Sequence, residues 1–326
     1  MLPGYRFFGV RMVSMVLIIL IYAATPPSSA QQAKNAGVRL SVIGIGVRNY
    51  AESQNFYERV MGLPVAFKFS NQDGTRTTTY YQLGRDSFLE MQPVVADAAP
   101  GFTHIHLVVD DVTAAVARYR QAGLGTPARG ATTPMTVSDP GVAMPSNVKN
   151  ANIYDPTGLR LELNELLPES LTRKATQAWG NRTGGYRLSV IGFGVKNYAE
   201  AQKFDENIMG FPVAFKFGNA ERPTTYYQMS RDTFLELQMT TGDAAPGFTH
   251  VHLVVDDLNA AIARLRQAGL PSAARTETKP GSVTEPGVAM PSNVKSANVF
   301  DPNGLRLELN ELIPESLTKK AADAWK

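Results

Sequence analysis

The sequence predicts an α+β fold made of two tandem domains, each built from paired β-α-β-β-β units. A long segment that begins at Arg39 returns at Arg187, and the ten residues from Pro140 return unchanged from Pro286. Within each copy, short runs of β-branched and aromatic residues between turn residues are typical of strands, and two amphipathic stretches are typical of helices. The order strand, helix, strand, strand, strand recurs twice per copy, which gives four units in the chain.

The two copies are predicted to span residues 38–179 and 186–326, with a linker of Gly, Asn, Arg and Thr between them. The copies are offset by 148 residues at Arg39 and by 146 residues at His104, so the second copy lacks two residues, which we place in the turn near residues 71–76. Each copy has the usual length of an independent domain. The period is too long for a solenoid, whose units have about 20 to 50 residues.

The first 30 residues resemble a secretory leader. Arg6 and Arg11 precede an apolar run over residues 12–24, and small residues lead up to Ala30. This pattern predicts a signal peptide that is cleaved after Ala30, and therefore a periplasmic or secreted protein with no stable membrane insertion. An uncleaved anchor is the alternative, but the run is shorter than the roughly 20 residues that span a bilayer.

Charge and cysteine content exclude several classes of function. Removal of the leader leaves 30 basic against 29 acidic residues, so the basic isoelectric point does not indicate a nucleic-acid partner, and we expect none. The chain contains no cysteine, which excludes disulfides and thiolate ligands. Any bound metal must therefore be held by nitrogen and oxygen.

The first unit of the first copy is predicted element by element. Residues 40–47 form a strand, Asn49 offers an N-cap, and the apolar spacing up to Met61 indicates a helix. Three further segments rich in β-branched and aromatic residues then predict strands over residues 65–69, 77–83 and 88–92.

The second unit repeats this order less clearly. A strand over residues 102–109 is followed by a helix that begins after Asp111 and ends at Gly123. Strands over residues 148–154 and 159–163 flank a turn, whereas the proline-rich stretch 125–146 allows no strand to be placed. A short polar helix beginning near Pro168, and near Pro314 in the second copy, is expected to close each domain.

All four histidines lie in one duplicated motif. Gly-Phe-Thr-His104-Ile-His106 recurs as Gly-Phe-Thr-His250-Val-His252. Alternate side chains of a strand point to the same face, so the two imidazoles of each motif project together. Such a pair can chelate a metal ion or bracket a substrate.

Glutamates are expected to join these histidines in a cavity. Aligning the two units of a copy places Val42 opposite His104 and Glu90 opposite Glu162. Residues 159–164 alternate leucines with polar side chains, so one face packs on helices and the other remains polar. A concave sheet would then gather Glu90, His104, His106 and Glu162, and in the second copy Glu236, His250, His252 and Glu308.

These features together resemble the vicinal oxygen chelate superfamily, which includes glyoxalase I, bleomycin-resistance proteins and extradiol dioxygenases. The resemblance rests on the paired units, the Gly-Phe-Thr-His motif and the closing Asp-Pro-Thr-Gly-Leu-Arg-Leu-Glu segment. It implies a rolled mixed sheet around a cavity with helices outside. It also implies metal ligands from the first and last strands of each unit, which by motif match are Glu90, His104 and Glu162, with Glu236, His250 and Glu308 in the second copy.

One position departs from the superfamily. The first-strand residue that usually supplies His or Gln is Val42 in one copy and Val190 in the other. A Glu-His-Glu set remains suited to a divalent ion such as Zn, Fe, Mn or Ni. With such an ion the resemblance implies a lyase or isomerase acting on a small molecule, in which a displaced glutamate serves as base, so the candidate catalytic residues are Glu90, Glu162, Glu236 and Glu308. The dioxygenase pattern fits less well, because it depends on the missing histidine.

The remaining polar residues are assigned to the cavity and its substrate: His106, Arg160, Asn164, His252, Arg306 and Asn310. His106 could instead fill the vacant ligand position or form a hydrogen bond with Glu162. The missing first-strand ligand at Val42 and Val190 leaves an alternative function open, that of a metal-free protein of the bleomycin-resistance type that sequesters a small molecule. Arg160 and Arg306 could then pair with the glutamates in place of a metal. Whether the cavity forms within a copy or by exchange between copies stays open, as does the choice between monomer and homodimer.

Overall fold

The computed structural model describes residues 37–71, 73–95, 97–180, 182 and 185–325. The predicted signal peptide, residues 1–30, lies outside these ranges. Among the described helices, none has the length and apolar character needed to cross a membrane.

The first copy forms a single nine-stranded sheet with three α-helices over its described residues. Its strands are β1 (Arg39–Val47), β2 (Val65–Ser70), β3 (Thr77–Gly84), β4 (Ser87–Pro93), β5 (Gly101–Val108), β6 (Thr136–Val137), β7 (Gly141–Ala143), β8 (Val148–Tyr154) and β9 (Arg160–Leu166). Its helices are α1 (Tyr50–Asn55), which continues as a π-helix (Phe56–Val60), α2 (Val112–Gln121) and α3 (Leu171–Ala178).

The second copy repeats this arrangement with a ten-stranded sheet. Its strands are β10 (Arg187–Val195), β11 (Val213–Gly218), β12 (Pro223–Gln228), β13 (Phe234–Met239), β14 (Gly247–Val254), β15 (Ser272–Ala273), β16 (Ser282–Thr284), β17 (Gly287–Ala289), β18 (Val294–Phe300) and β19 (Arg306–Leu312). Its helices are α4 (Tyr198–Lys203), continued by a π-helix (Phe204–Met209), α5 (Leu258–Gln267) and α6 (Leu317–Ala324).

The strand order confirms the predicted pairing of β-α-β-β-β units. In the first copy the order is β2-β3-β4-β1-β5-β9-β8-β6, and β7 pairs with β8. β1 lies parallel to β4 and antiparallel to β5, while β5 lies parallel to β9, so the two units meet where their first strands pair. Each copy builds its own mixed sheet, and the α+β fold of two tandem domains is confirmed.

The two faces of each sheet differ in chemistry, as the alternation of residues in the sequence predicts. On one face, Ile43, Ile105, Leu107 and Leu161 belong to the main core. The opposite face, which we call the site face, carries Val42, Glu90, His104, His106 and Glu162. Because successive strand residues point to opposite sides, a single set of strands both builds the core and presents the polar cluster.

The helices cover both faces. The first helical segment and α2 pack on the core face, where Tyr57, Val112 and Tyr119 are fully buried. The predicted closing helix is α3, and its Ala175 packs with Val42, Tyr80 and Phe88 on the site face. The short polar helix expected from the sequence therefore also covers part of the candidate site.

Three local features extend or confirm the sequence predictions. The unplaced stretch 125–146 contains β6 and β7, which have only two and three residues and so give no periodic signal. Asn49 caps α1 as expected, since its side chain accepts a hydrogen bond from Glu52 N at 3.3 Å. The two-residue deletion falls between β2 and β3, because the connection over residues 71–76 corresponds to residues 219–222.

The buried apolar residues on the core faces of both copies form one continuous core, separate from the smaller apolar clusters on the two site faces. It includes Ile105 from β5 and Val251 from β14, the residues that separate the two histidines of each motif. The histidine strands therefore turn their apolar sides toward the junction between the copies and their imidazoles away from it.

Candidate metal centre

The strand registers bring the predicted residues together. Gly44 on β1 pairs with Glu90 on β4 and with His104 on β5. One pleat further along, Val42 pairs with His106, which in turn pairs with Glu162 on β9. Four polar side chains from three strands therefore lie close together on one face of the sheet. Gly44 and Val42 of β1 lie between Glu90 on one side and the histidine strand on the other.

Glycine at position 44 makes room for this arrangement. A methyl carbon at Gly44 would overlap the imidazole of His104, and one at Gly192 would overlap that of His250. The imidazole therefore lies over the central strand and reaches the glutamate of the strand beyond. The Gly-x-Gly sequence of β1 creates space on the site face.

In the first copy, one carboxylate and two imidazoles converge on a point. His104 Nε2 lies 3.3 Å from Glu90 Oε2, and His106 Nε2 lies 3.2 Å from the same oxygen. The two Nε2 atoms are 2.8 Å apart. All three residues are buried, so the two nitrogens and the oxygen face one another away from solvent.

The second copy has the same cluster with slightly wider spacing. His250 Nε2 lies 3.2 Å from Glu236 Oε2, and His252 Nε2 lies 3.7 Å from it. In both clusters the donor atoms of the three residues all lie within 4.8 Å of one another. Each copy therefore contains a Glu-His-His group that could hold a metal ion.

Glu162 and Glu308 stand beside these clusters. Glu162 Oε1 lies 3.9 Å from His106 Nε2, and Glu308 Oε2 lies 3.7 Å from His252 Nε2. Asn150 Nδ2 donates a hydrogen bond to Glu162 Oε1 at 2.9 Å. The second predicted glutamate is thus close to the cluster, held by an amide from β8.

Hydrogen bonds orient the members of the first cluster. The Tyr80 hydroxyl donates to Glu90 Oε2 at 2.8 Å, and Gln92 donates to Glu90 Oε1. His104 Nδ1 lies 2.8 Å from the hydroxyl of Thr103. If Nδ1 carries the proton in this bond, the lone pair of Nε2 is directed at the cluster, which is the tautomer that binds a metal.

In the second copy an unpartnered nitrogen indicates the same tautomer. With the Asn310 amide placed to satisfy its neighbours, its oxygen accepts a hydrogen bond from His252 Nδ1 at 2.9 Å and its nitrogen donates to Glu308 Oε1 at 3.1 Å. His252 Nε2 is buried and has no hydrogen-bond partner among the described residues. A buried imidazole nitrogen without a partner is costly unless something else binds it.

Burial and neighbouring charges set the protonation of the histidines. Burial lowers the pKa of His104 below its ordinary value, and it lowers the pKa of His250 to about 3. Burial also lowers the pKa of His252. For His106, burial is outweighed by the charge of Glu162 and the hydrogen bond to Glu90, and its pKa is raised. Three of the four imidazoles are therefore held neutral at pH 7, the form that can coordinate an ion.

The carboxylates have the complementary tendency. Burial raises the pKa of Glu90, but His104 and His106 outweigh it and hold that pKa well below the usual range. The pKa values of Glu162 and Glu308 are also lowered, because the nearby histidines outweigh burial. Ionised carboxylates beside neutral imidazoles form a nitrogen-and-oxygen donor set suited to a divalent ion.

A narrow cavity opens next to the first cluster. It has a volume of about 30 Å³, enough for about two water molecules. Its walls include His106, Glu162 and Asn164 on the polar side and Val42 and Tyr80 on the other, and Thr172 of α3 closes it. Both side-chain atoms of Asn164 are buried without partners among the described residues.

The predicted cavity residues thus fall in two groups. Asn164 lines the cavity, and Asn310 lies against His252. Arg160 pairs in register with His104, and the charge of Arg160 contributes to lowering the pKa of that imidazole. Arg306 acts in the same way on His250. Neither arginine forms a salt bridge with the four site glutamates within the described part of the chain.

Sequence reasoning did not single out the orienting residues. From the sequence alone, Tyr80, Gln92, Thr103 and Asn150 are assigned only to predicted strands. The one available signal was their placement at alternate positions that share the site face, because neither the residue types nor their spacing marks them as partners of a glutamate or histidine.

Comparison with known families gives one match. The model of the Glyoxalase/Bleomycin resistance protein/Dioxygenase superfamily matches residues 39–163 and again residues 187–309. Each match lies within one of the two sequence copies and includes the Glu-His-His cluster of that copy. A comparison with curated protein sequences gives no significant match.

Solved structures resemble the chain over most of its length. A Mn(II)-bound glyoxalase from Novosphingobium aromaticivorans is 19% identical, with a TM-score of 0.62 over 84% of this chain and 82% of its own. A halotolerant catechol dioxygenase, BphC, is also 19% identical, with a TM-score of 0.60 and coverages of 85% and 87%. The homoprotocatechuate 2,3-dioxygenase of Arthrobacter globiformis is 18% identical, with a TM-score of 0.59 and coverages of 85% and 80%. At these identities the likeness supports the fold alone.

Proposed function

Since the chain belongs to the glyoxalase/bleomycin resistance protein/dioxygenase superfamily, whose model matches both copies, we propose that it is a divalent-metal-dependent enzyme. The proposed reaction is that of a lyase or isomerase acting on a small oxygen-rich molecule, with one site in each copy. The single observation that carries the proposal is the buried Glu-His-His group, which occurs twice.

The donor set fits a metal ion. Glu90, His104 and His106 would hold it in the first copy, and Glu236, His250 and His252 in the second, with zinc, iron, manganese or nickel as suitable ions. The unpartnered Nε2 of His252 supports this assignment. When bound, such an ion polarises adjacent substrate oxygens and stabilises negative charge that develops on them.

A second acidic residue, outside the Glu-His-His group, gives the site a base. Glu162 lines the cavity, lies 3.9 Å from His106 Nε2 and is oriented by Asn150. It stays ionised, because the histidines lower its pKa. A carboxylate held beside the cluster but outside the three-residue group is placed to remove a proton from a carbon next to a carbonyl, as lyase and isomerase reactions require.

Deuterium exchange tests this role. The double variant Glu162→Gln, Glu308→Gln is expected to keep two ions per chain. It should no longer catalyse the exchange of the acidic protons of α-hydroxycarbonyl compounds with heavy water. Loss of the ions from this double variant would make these glutamates ligands, as the sequence resemblance implies. Unchanged exchange would contradict the base assignment.

A second candidate function is oxidative ring cleavage. Two histidines and one carboxylate with open positions are the ligand set of non-haem Fe(II) oxygenases. This set of residue types is present here although the first strand supplies no ligand. His106, which pairs with Val42, provides the second histidine. Oxygen consumption by the iron-loaded protein in the presence of catechols would favour this function over proton transfer, and its absence would exclude these substrates.

Metal binding itself is tested by equilibrium dialysis followed by elemental analysis. Wild-type protein is expected to retain two divalent ions per chain, and Glu90→Gln or Glu236→Gln is expected to retain one. Glu165→Gln is the matched control, because this glutamate lies on β9 and pairs with Lys149 at 3.1 Å outside the site. Failure of the wild-type protein to bind any of the four metals would defeat the proposal.

The metal-free alternative, a protein that only sequesters a small molecule, is not favoured. That alternative rested on Val42 and Val190, which remove the first-strand ligand. In each copy a second imidazole lies directly beside the valine, so the donor set has three members without it.

Export also belongs to the proposal. We expect a periplasmic or secreted protein, with a small-molecule ligand as partner, present as a monomer or homodimer. The first residue of the protein purified from its source, identified by mass spectrometry, should be Gln31. A protein that retains residues 1–30 would contradict cleavage.

A further inference from the structure

The junction between the two copies has two halves that are related by the internal duplication but differ in chemistry. In one half, Tyr57 of the first copy donates a hydrogen bond to Asp301 Oδ2 of the second at 3.1 Å. The residue that corresponds to Tyr57 in the second copy is Asp205, and the residue that corresponds to Asp301 in the first is Asp155. The hydroxyl–carboxylate contact on one side is therefore replaced by two carboxyl groups on the other.

Further hydrogen bonds strengthen the Tyr57 half. Asn303 Oδ1 accepts from the backbone N–H of Arg48 at 3.0 Å, and Asn303 Nδ2 donates to the hydroxyl of Ser53 at 3.0 Å. At the corresponding positions of the other half the chain has Thr157 and Ala201, which cannot form the side-chain bond between Asn303 and Ser53. The polar contacts that join the copies are concentrated on one side.

On the other side the two carboxyl groups line one small cavity. It has a volume of about 10 Å³, and its other walls are apolar and include Phe193, Phe211 and Phe248. Asp155 and Asp205 are 4% and 3% exposed, so neither is solvated. The cavity is no larger than a single water molecule.

The two carboxyl groups are bonded very differently. Asp155 Oδ1 accepts hydrogen bonds from the backbone N–H and the hydroxyl of Thr157, each at 2.7 Å, and from Leu159 N at 2.8 Å. Asp205 Oδ2 is buried and has no partner among the described residues. Two ionised carboxylates that line one buried cavity repel each other, and a buried charge without a partner is costly.

We propose that Asp205 is protonated in the folded chain, so that this half of the junction is stable only while Asp205 keeps its proton. A protonated Asp205 puts a neutral carboxyl group beside Asp155 in the cavity that both residues line. Loss of the proton leaves two carboxylates in one buried cavity and weakens the junction. The inference concerns the assembly of the two copies and is independent of the proposed metal chemistry.

The surroundings of Asp205 favour the protonated form. Burial, and then the charges of Asp155 and Glu206, raise the pKa of Asp205 well above its ordinary value. Burial also raises the pKa of Asp155. The other ionisable groups that face Asp205 are Tyr198 of α4 and Tyr227 of β12, whose own pKa values are raised mainly by burial. Asp205 forms no ion pair with a basic side chain in the described ranges.

The sign of the expected pH effect follows from these shifts. Asp205 binds its proton more tightly in the folded than in the unfolded chain, where its pKa is about 3.9. Stability contributed by the proton on Asp205 is therefore complete below that value, falls as the pH rises through the folded pKa of Asp205, and is absent above it.

Thermal unfolding of the full chain between pH 5 and pH 9 tests the proposal. Asp205→Asn keeps a neutral donor and cannot ionise, so its melting temperature is expected to exceed that of wild type at the alkaline end by at least about 3 °C, with a smaller difference at pH 5. The matched control is Asp232→Asn, an exposed residue of the same copy, whose profile should run parallel to wild type. Parallel profiles for Asp205→Asn and wild type would overturn the proposal.

A second measurement covers the case in which Asp205→Asn fails to fold. The infrared spectrum of wild-type protein labelled with ¹³C-aspartate is expected to show the carbonyl stretch of a protonated aspartic acid at neutral pH, with loss of that band at alkaline pH. Asp155→Asn gives a second test, since removal of its charge should shift the loss of the band to lower pH. Absence of a protonated aspartate at neutral pH in wild type would contradict the proposed protonation of Asp205.

Discussion

At the scale of single residues, the candidate site depends on a histidine that stands beside an apolar residue. The first strand has Val42 where related metalloenzymes usually supply a ligand, and Val42 pairs directly with His106 on β5. Directly opposed residues of antiparallel strands have Cβ atoms about 5 Å apart. The second imidazole of the His-x-His motif therefore enters the cluster from the neighbouring strand, and the valine leaves room for it.

Removal of the second imidazole is expected to abolish metal binding in one copy. His106→Ala should lower the metal affinity of the first site by at least about 100-fold. Loss of a residue that only orients a ligand lowers metal affinity by up to about 100-fold, and loss of a ligand itself should cost at least as much. Metal content after dialysis should fall from two ions to one per chain. His252→Ala should give the same result in the second copy, and retention of two tight sites in either variant would contradict the ligand role.

Gly44 provides an independent residue-scale test. Gly44→Ala places a methyl group into the imidazole of His104, so we expect loss of the first ion and a loss of about 1–3 kcal/mol in unfolding free energy. Gly101→Ala is the control on the neighbouring strand, because a methyl group there meets no atom within 4 Å. Equal metal content in the two variants would show that His104 does not need the space above β1.

The sequence identified Glu90 and His104 as site residues, and the structure brings them to 3.3 Å of each other. It left the role of His106 open, because strand alternation gives the face of a side chain but not the strand register that decides which groups meet. Asn150 was missed for a related reason. Asn150 and Glu162 lie on neighbouring strands, β8 and β9, but they are not opposite each other in the strand register. No periodic pattern in the sequence marks such a diagonal contact.

At the scale of elements, most strands follow from local patterns and the remainder follow from tertiary contacts. The alternation of core-face and site-face residues is strong enough to be recognised in the sequence for β1, β3, β4 and β5. β6 and β7 are too short for any period, and they exist because β8 offers them a partner edge. The position of α3 over the site face likewise depends on the packing of Ala175 in one cluster with Val42, Tyr80 and Phe88, which the polar composition of the helix does not predict.

Helix capping gives a test at this scale. Asp111 accepts a hydrogen bond from Ala114 N at 3.0 Å and so caps α2. Asp111→Ala is expected to cost about 1 kcal/mol in unfolding free energy, measured by chemical denaturation. The adjacent Asp110 forms only an exposed 3.7 Å ion pair with Arg39, so Asp110→Ala should change stability by a few tenths of that amount at most. The reverse order would contradict the capping assignment.

At the scale of the whole molecule, the duplication has produced two sites on one shared core. The histidine strands β5 and β14 turn their apolar residues to the junction between copies, so the core that joins the copies also supports both Glu-His-His clusters. The two halves of the junction have diverged, one with hydrogen bonds around Tyr57 and Asp301 and the other with two buried carboxyl groups. The repeat predicted two equivalent domains, but it could not predict this asymmetry, because it depends on which residues meet across the junction.

The hydrogen-bonded half of the junction should contribute stability that is independent of pH in the neutral range. Tyr57→Phe removes the donor to Asp301 and is expected to cost about 1–2 kcal/mol in unfolding free energy. Tyr227→Phe is the matched control, because its hydroxyl is buried without a hydrogen-bond partner among the described residues. A loss in the control as large as that in Tyr57→Phe would assign the effect to general packing.

The central claim is that each copy holds one divalent ion between a glutamate and two histidines of the same strand. Anomalous scattering from crystals grown with Mn²⁺ tests it most directly. The account predicts two strong peaks per chain, one in contact with Glu90, His104 and His106 and one in contact with Glu236, His250 and His252. Ordered clusters without anomalous density, or peaks at other positions on the chain, would contradict it.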